Sequence, residues 1–160
     1  MNIALKIVLI GMVSTGLLAG GAHEHDHESN QSSIGAPGKG APDLEVMVSM
    51  RDSMRFIFEP SLDSINDGKT VEFLVHNDGA IEHEFSIGDA EEQVKHAQMM
   101  RESPTMKHQD ANTLSLAPGQ TGSLSWRFTG TETVVFSCNL PGHFEAGMKH
   151  LMTIAPGNSL

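Results

Sequence analysis

The stretch Val134-Val-Phe-Ser-Cys138-Asn-Leu-Pro-Gly-His143-Phe-Glu-Ala-Gly-Met148 reads as an apolar strand running into a loop that carries three soft metal donors. Cys138, the only cysteine of the chain, is followed by His143 and Met148 in the spacing C-x4-H-x4-M. Pro141-Gly142 marks a chain reversal between the first two donors. A further strand candidate, Met148–Ile154, comes next. Strand, loop and strand in succession let one loop present a thiolate, an imidazole and a thioether to one point. With one more histidine, this set becomes the His2Cys trigonal site with a weak axial Met that suits electron-transfer copper. His83, in Ile81-Glu-His-Glu-Phe85, is the best candidate for that donor.

Each of these residues also has an ordinary reading, since free Cys and Met commonly fill cores and a histidine commonly sits in a turn. Their grouping on one loop argues against coincidence. Structural zinc prefers more thiolates or histidines and rarely takes a thioether. A catalytic Cys/His pair lacks a visible orienting group and oxyanion hole, and no enzymatic activity is expected.

The N-terminus points to export. Met1–Lys6 carries one positive charge, Ile7–Leu18 is a broken apolar run, and Ala19-Gly-Gly-Ala22 is small, which is the pattern of a signal peptide over residues 1–22. The run is interrupted by Gly11, Ser14, Thr15 and Gly16 and falls short of the ~20 residues a membrane span needs, so no membrane insertion is expected after cleavage. A lone cysteine in an exported protein has no disulfide partner within its chain and is an oxidation liability when exposed. Metal ligation removes that tension. The chain's net charge of −10, from which the leader subtracts one further lysine, disfavours nucleic acid and anionic membranes as partners and fits metal ions or a cationic protein.

Residues 23–42 read as a disordered His-rich tail and linker with little to bury. From residue 43 to 156 one folded domain is expected. Period-2 alternation marks Leu44–Met50, Thr70–His76 and Gly122–Phe128 as strands. Shorter candidates are Met54–Phe58, His83–Ile87, Thr113–Leu116, Thr131–Ser137 and Met148–Ile154, separated by turn signals such as Asn77-Asp-Gly79 and Ala117-Pro-Gly119. Asp89-Ala-Glu-Glu92 has the form of a capping box opening a helix over Glu91–Arg101. About eight strands with one inserted helix imply an all-β antiparallel sandwich.

The region from about Leu44 to Ala155 resembles a cupredoxin, the blue-copper domain of plastocyanin and its relatives. The resemblance lies in the Cys138–Met148 loop and in the segment from Asn77 to His83. Within that family the Cys-x-x-Pro-Gly-His-Phe-Glu-Ala-Gly-Met loop, the His-Glu-Phe segment and the His-rich tail are most similar to periplasmic copper-tolerance cupredoxins of Gram-negative bacteria. The resemblance implies a Greek-key sandwich holding one type 1 copper through His83, Cys138 and His143, with Met148 axial. Ser137 and Asn139 flank the cysteine where a multicopper enzyme would be expected to place a histidine. Asn77 is expected to tie the two ligand loops together.

A second set of soft residues comprises His96, Met99, Met100, Met106 and His108. His96 and Met100 are four apart on the helix and share a face, so they form either an auxiliary copper patch or, for the methionines, ordinary packing. His23, His25 and His27 are a further candidate set. Cleavage after Ala22 makes His25 the third residue, where amine, amides and imidazole bind Cu(II) in a square plane, unless the tail serves only solubility. The expected role is copper tolerance in the periplasm, as a monomer binding or buffering redox-capable copper. The alternatives are a soluble electron carrier with a redox partner protein, docking near Pro141, His143 and Phe144, and a copper chaperone.

Overall fold

The computed structural model describes residues 32–103 and 110–157. Two sheets face each other across one core. The first has the order β1-β7-β4-β2-β3, formed by β1 (Gly35–Pro37), β2 (Leu44–Arg51), β3 (Arg55–Glu59), β4 (Thr70–Asn77) and β7 (Thr121–Phe128). The second has the order β6-β5-β8-β9, formed by β5 (His83–Gly88), β6 (Thr113–Leu116), β8 (Thr133–Ser137) and β9 (Lys149–Thr153). All neighbours are antiparallel except β2 and β4. The expected cupredoxin-like sandwich is the observed fold, and every strand read from the sequence is present to within about two residues.

Alternation explains the core. Val46, Val48 and Met50 of β2, Val71, Phe73 and Val75 of β4, and Leu124, Trp126 and Phe128 of β7 all turn inward. They meet Phe85 and Ile87 of β5 and Val134 and Phe136 of β8. Phe73 lies at the centre, with ring centroids 5.4 Å from Phe85, 5.6 Å from Phe136 and 6.2 Å from Phe128. Such aromatic pairs add ~0.5–1.5 kcal/mol each beyond the area they bury. Met50 is buried and Met47 faces solvent, as their places in the alternation require.

The helix α1 (Ala90–Glu102) lies between β5 and β6 in sequence and packs on β5 and β8. Its capping box is complete: Asp89 Oδ1 accepts the Glu91 and Glu92 N–H groups, and Glu92 Oε2 accepts the Asp89 N–H, each at 2.8 Å. Only Gln93, Ala97 and Met100 of this helix are buried. Met100 therefore packs inward, while Met99 remains partly exposed. No helix of the described residues is long and apolar enough to cross a membrane.

The structure corrects the reading of residues 32–42 as part of a disordered tail. Ile34 is fully buried, Gly35–Pro37 pairs with Trp126–Phe128, and the Gly38 N–H donates to the Ser125 carbonyl at 2.8 Å. Ser32 Oγ and Ser33 Oγ donate to Glu92 Oε2 and Asp89 Oδ2 at 2.9 and 2.7 Å, which fastens the segment to the helix cap. One apolar residue and backbone pairing suffice here, so hydropathy gave no signal. Residues 1–22, read as a signal peptide, together with His23, His25, His27, Met106 and His108, lie outside the described residues.

The centrality of Phe73 gives a direct test. Phe73→Ala should cost about 3–5 kcal/mol in denaturant unfolding, because it opens a cavity among rings that cannot collapse onto it. A loss below ~1 kcal/mol would contradict this packing.

Candidate metal centre

β5 opens on His83 and β8 ends one residue before Cys138, so pairing of these strands brings both residues to one end of the sandwich. The loop after Cys138 then folds back over that end. One ring nitrogen from each of His83 and His143 and the Cys138 Sγ lie within 4.8 Å of one another. Cys138 Sγ and His143 Nδ1 are 3.2 Å apart, and the two imidazole rings have centroids separated by 5.1 Å. His83 and Cys138 are fully buried and His143 is half-buried. Among the described residues this is the group of His, Cys and acidic side chains whose donors converge closely enough to hold a metal.

The loop owes its shape to its own backbone bonds. The His143 N–H donates to the Leu140 carbonyl at 3.0 Å, the Ala146 N–H to Gly142 at 3.0 Å, and the Gly147 N–H to Phe144 at 3.0 Å. Gly142 and Gly147 have φ of +88° and +102°, values that side chains with a Cβ rarely tolerate. Met148 is fully buried, and its backbone is clamped between two of the converging residues. The Cys138 N–H donates to the Met148 carbonyl at 3.0 Å, and the Met148 N–H donates to the His143 carbonyl at 2.9 Å.

The donor chemistry fits a soft cation. His83 Nε2 lies 3.0 Å from Asp52 Oδ1, whereas the buried His83 Nδ1 has no hydrogen-bond partner. A buried, unpartnered ring nitrogen is costly unless its lone pair is used. With the proton on Nε2 donated to Asp52, Nδ1 is the nitrogen left for a metal. Asp52 is itself held below the ordinary carboxylate range, chiefly by the Ala80 N–H and then by His83. Burial pushes the Cys138 thiol up to about 12, although the Glu84 N–H, 3.3 Å from Sγ, acts in the opposite direction. Burial also lowers the pKa of His143, so its imidazole is neutral and able to donate at neutral pH.

Around the donors lies a buried polar layer that no pattern in the sequence announced. Glu84 is fully buried, with Oε1 accepting the Asn139 N–H at 3.3 Å and Oε2 3.6 Å from His96 Nε2. Burial opposes a charge on His96, but the Glu84 carboxylate, assisted by Asp110, outweighs it and raises the histidine's pKa. Gln93 on α1 accepts from Ser137 Oγ at 2.6 Å and Asn139 Nδ2 at 2.7 Å, and donates to the Val135 carbonyl at 2.9 Å. The helix thereby holds the residues on both sides of Cys138. His96 is drawn to Glu84, and Met100 is sealed within the protein.

Asn77 acts differently from expectation. Its Nδ2 donates to the carbonyls of Ile81 and Leu116, both at 2.8 Å, and its Oδ1 accepts the Gly79 N–H at 2.9 Å. It therefore braces the His83 approach against β6 instead of bridging to the 138–148 loop.

Comparison with known proteins agrees with this geometry. Residues 44–155 match the model of the copper binding proteins, plastocyanin/azurin family. The chain is 41% identical over 134 residues to the copper-resistant cuproprotein CopI of Vibrio cholerae, covering 80% of this chain and 79% of that protein. It is 42% identical over 129 residues to the copper-resistant cuproprotein CopI of Rubrivivax gelatinosus, covering 80% and 75%. Two solved structures share the fold at low identity. Auracyanin B has a TM-score of 0.59 at 20% identity, covering 78% of this chain and 96% of that one. Reduced auracyanin from Roseiflexus castenholzii has a TM-score of 0.55 at 21% identity, covering 73% and 100%.

The raised thiol pKa sets a pH dependence. In the metal-free protein Cys138 is protonated below about pH 12, so a bound cation must displace that proton. Anaerobic Cu(I) competition titrations should show affinity rising with pH, by up to about tenfold per unit near neutrality. Cys138→Ser should flatten the slope, and a pH-independent affinity in the native protein would contradict a protonated thiol.

Proposed function

The chain belongs to the copper-binding plastocyanin/azurin family, and from that premise we propose that it is an exported copper-tolerance protein that binds and buffers copper at one type 1 site. His83 through Nδ1, Cys138 through Sγ and His143 through Nδ1 hold the ion, with the Met148 thioether as the weak fourth donor. The observation carrying this reading is the convergence of three donors within 4.8 Å around an orphaned, buried His83 Nδ1. Bound copper supplies one-electron cycling between Cu(II) and Cu(I). The chain's own part is to hold a donor set acceptable to both oxidation states, so that little needs to rearrange between them. The surrounding β-strands keep His83 and Cys138 from water, which limits uncontrolled reaction at the thiolate.

Copper tolerance is favoured over other uses by the likeness to proteins named copper-resistant cuproproteins and by the His-rich segment following the leader. An electron-carrier role is supported by one feature of the site: His143 is half-buried beside exposed Pro141, where a partner's redox centre could approach. The two roles differ in the cell. Deleting the gene should sensitise cells to copper if the protein confers tolerance, whereas a defect confined to one respiratory condition indicates a carrier.

Cys138→Ser should abolish the intense visible charge-transfer absorption of the copper-loaded protein, and an unchanged spectrum would refute the ligand assignment. Auxiliary copper on the tail is tested by removing residues 23–31, which leaves Ile34 and β1 intact. Copper stoichiometry should fall while the coloured site persists; an unchanged stoichiometry would leave the tail without a metal role.

A further inference from the structure

Resting on the reading of His83, Cys138 and His143 as copper ligands, we infer that Asp52 is a positioning residue that fixes the His83 ring and biases the site toward Cu(II). Asp52 sits in the turn between β2 and β3, thirty-one residues from His83, and its carboxylate is hydrogen-bonded to the buried imidazole. Its Oδ1 lies 3.0 Å from His83 Nε2, and its Oδ2 accepts the Ala80 N–H at 2.8 Å. The carboxylate is thus gripped from the far side by the same loop that carries the histidine. The Asp78 N–H donates to the Met50 carbonyl at 2.9 Å, which draws that loop against the end of β2.

Gly79 adds independent support for a fitted contact. A Cβ at this position would lie 2.1 Å from Asp52 Oδ1 and 3.0 Å from His83 Nε2. The loop passes so close over the pair that only a glycine leaves room for it. Among the described residues no other hydrogen bond reaches Nε2, and the opposite ring nitrogen is the unpartnered one.

Two consequences follow from a carboxylate in this place, one steric and one electronic. It locks the tautomer with the proton on Nε2, leaving the Nδ1 lone pair aimed at the site before any metal arrives. It also increases the electron density of the imidazole and adds a negative charge behind it. Both effects favour the more highly charged ion, so Cu(II) affinity gains more than Cu(I) affinity. A neutral acceptor in the same position would orient the ring but supply less of this bias.

The test compares the copper-loaded native protein with Asp52→Asn and Gly79→Ala. Asp52→Asn removes the charge; Gly79→Ala keeps the charge but displaces the carboxylate from Nε2. We expect the ratio of Cu(II) to Cu(I) affinity to fall about tenfold in Asp52→Asn, which by a one-electron couple is a rise of ~59 mV in reduction potential. Gly79→Ala should shift the potential in the same direction. Potentials unchanged in both coloured variants would overturn the proposal. A second readout needs neither copper nor a substitution: nitrogen NMR of the metal-free native protein should find the His83 proton on Nε2, and a proton on Nδ1 would overturn the proposal even if a variant failed to fold. If the native protein itself shows no charge-transfer band on copper loading, the metal-site assignment fails; a coloured native protein with an indifferent Asp52 refutes the Asp52 role alone.

Discussion

The antiparallel pairing of β5 with β8 is the constraint on which the site depends. Its register sets Ser86 opposite Ser137 and Ile87 opposite Phe136, with Phe85 and Phe136 stacked 5.7 Å apart in the core just beneath. Immediately beyond this ladder the pattern of bonds changes character. The Glu84 N–H turns to the Cys138 sulfur, and the Asn139 N–H turns to the Glu84 carboxylate. Side chains replace carbonyls as acceptors where the sheet ends, and in doing so they lock a histidine and a cysteine from distant parts of the chain side by side. A slip of one residue would point every side chain of either strand to the wrong face.

The buried polar layer restrains the loop in a second way. Glu84, Gln93, Ser137 and Asn139 are all nearly inaccessible to water, and such groups are tolerated only when their bonds are made inside the protein. Gln93 makes three of these bonds, to Val135, Ser137 and Asn139. A helix with only three buried residues is consequently held by directional contacts more than by apolar area. Directional contacts tolerate little displacement, and this suits a helix whose task is to fix residues beside a thiol.

Much of this was legible in the sequence because it depends on local or periodic signals. The alternation in Thr70–Asn77 and Thr121–Phe128 exposed two central strands, the Asp89–Glu92 box announced the helix, and the spacing of Cys138, His143 and Met148 marked the loop. What stayed hidden depends on polar partners far apart in the chain. The pairs Asp52–His83 and Gln93–Ser137 span thirty-one and forty-four residues and leave no period to read. Asn77 braces the structure as its position suggests, but to Ile81 and Leu116 and not to the second ligand loop, because the sequence does not show β6 lying beside it. Ile34 was missed because one buried isoleucine amid serine, glycine and proline resembles a linker in composition.

The small strand β1 has a consequence for how the molecule behaves in a crowded compartment. It pairs with Trp126–Phe128 at the end of β7, where backbone donors and acceptors would otherwise lie open. An open flank of that kind can recruit a strand from another chain and seed aggregation. Over that end of β7, β1 presents instead a flank of only three residues that ends in Pro37, which has no N–H to offer. The serines that fasten this segment to Asp89 and Glu92 keep the cover in place. A stretch that carries almost none of the core thus shortens the sheet edge open to pairing with another chain.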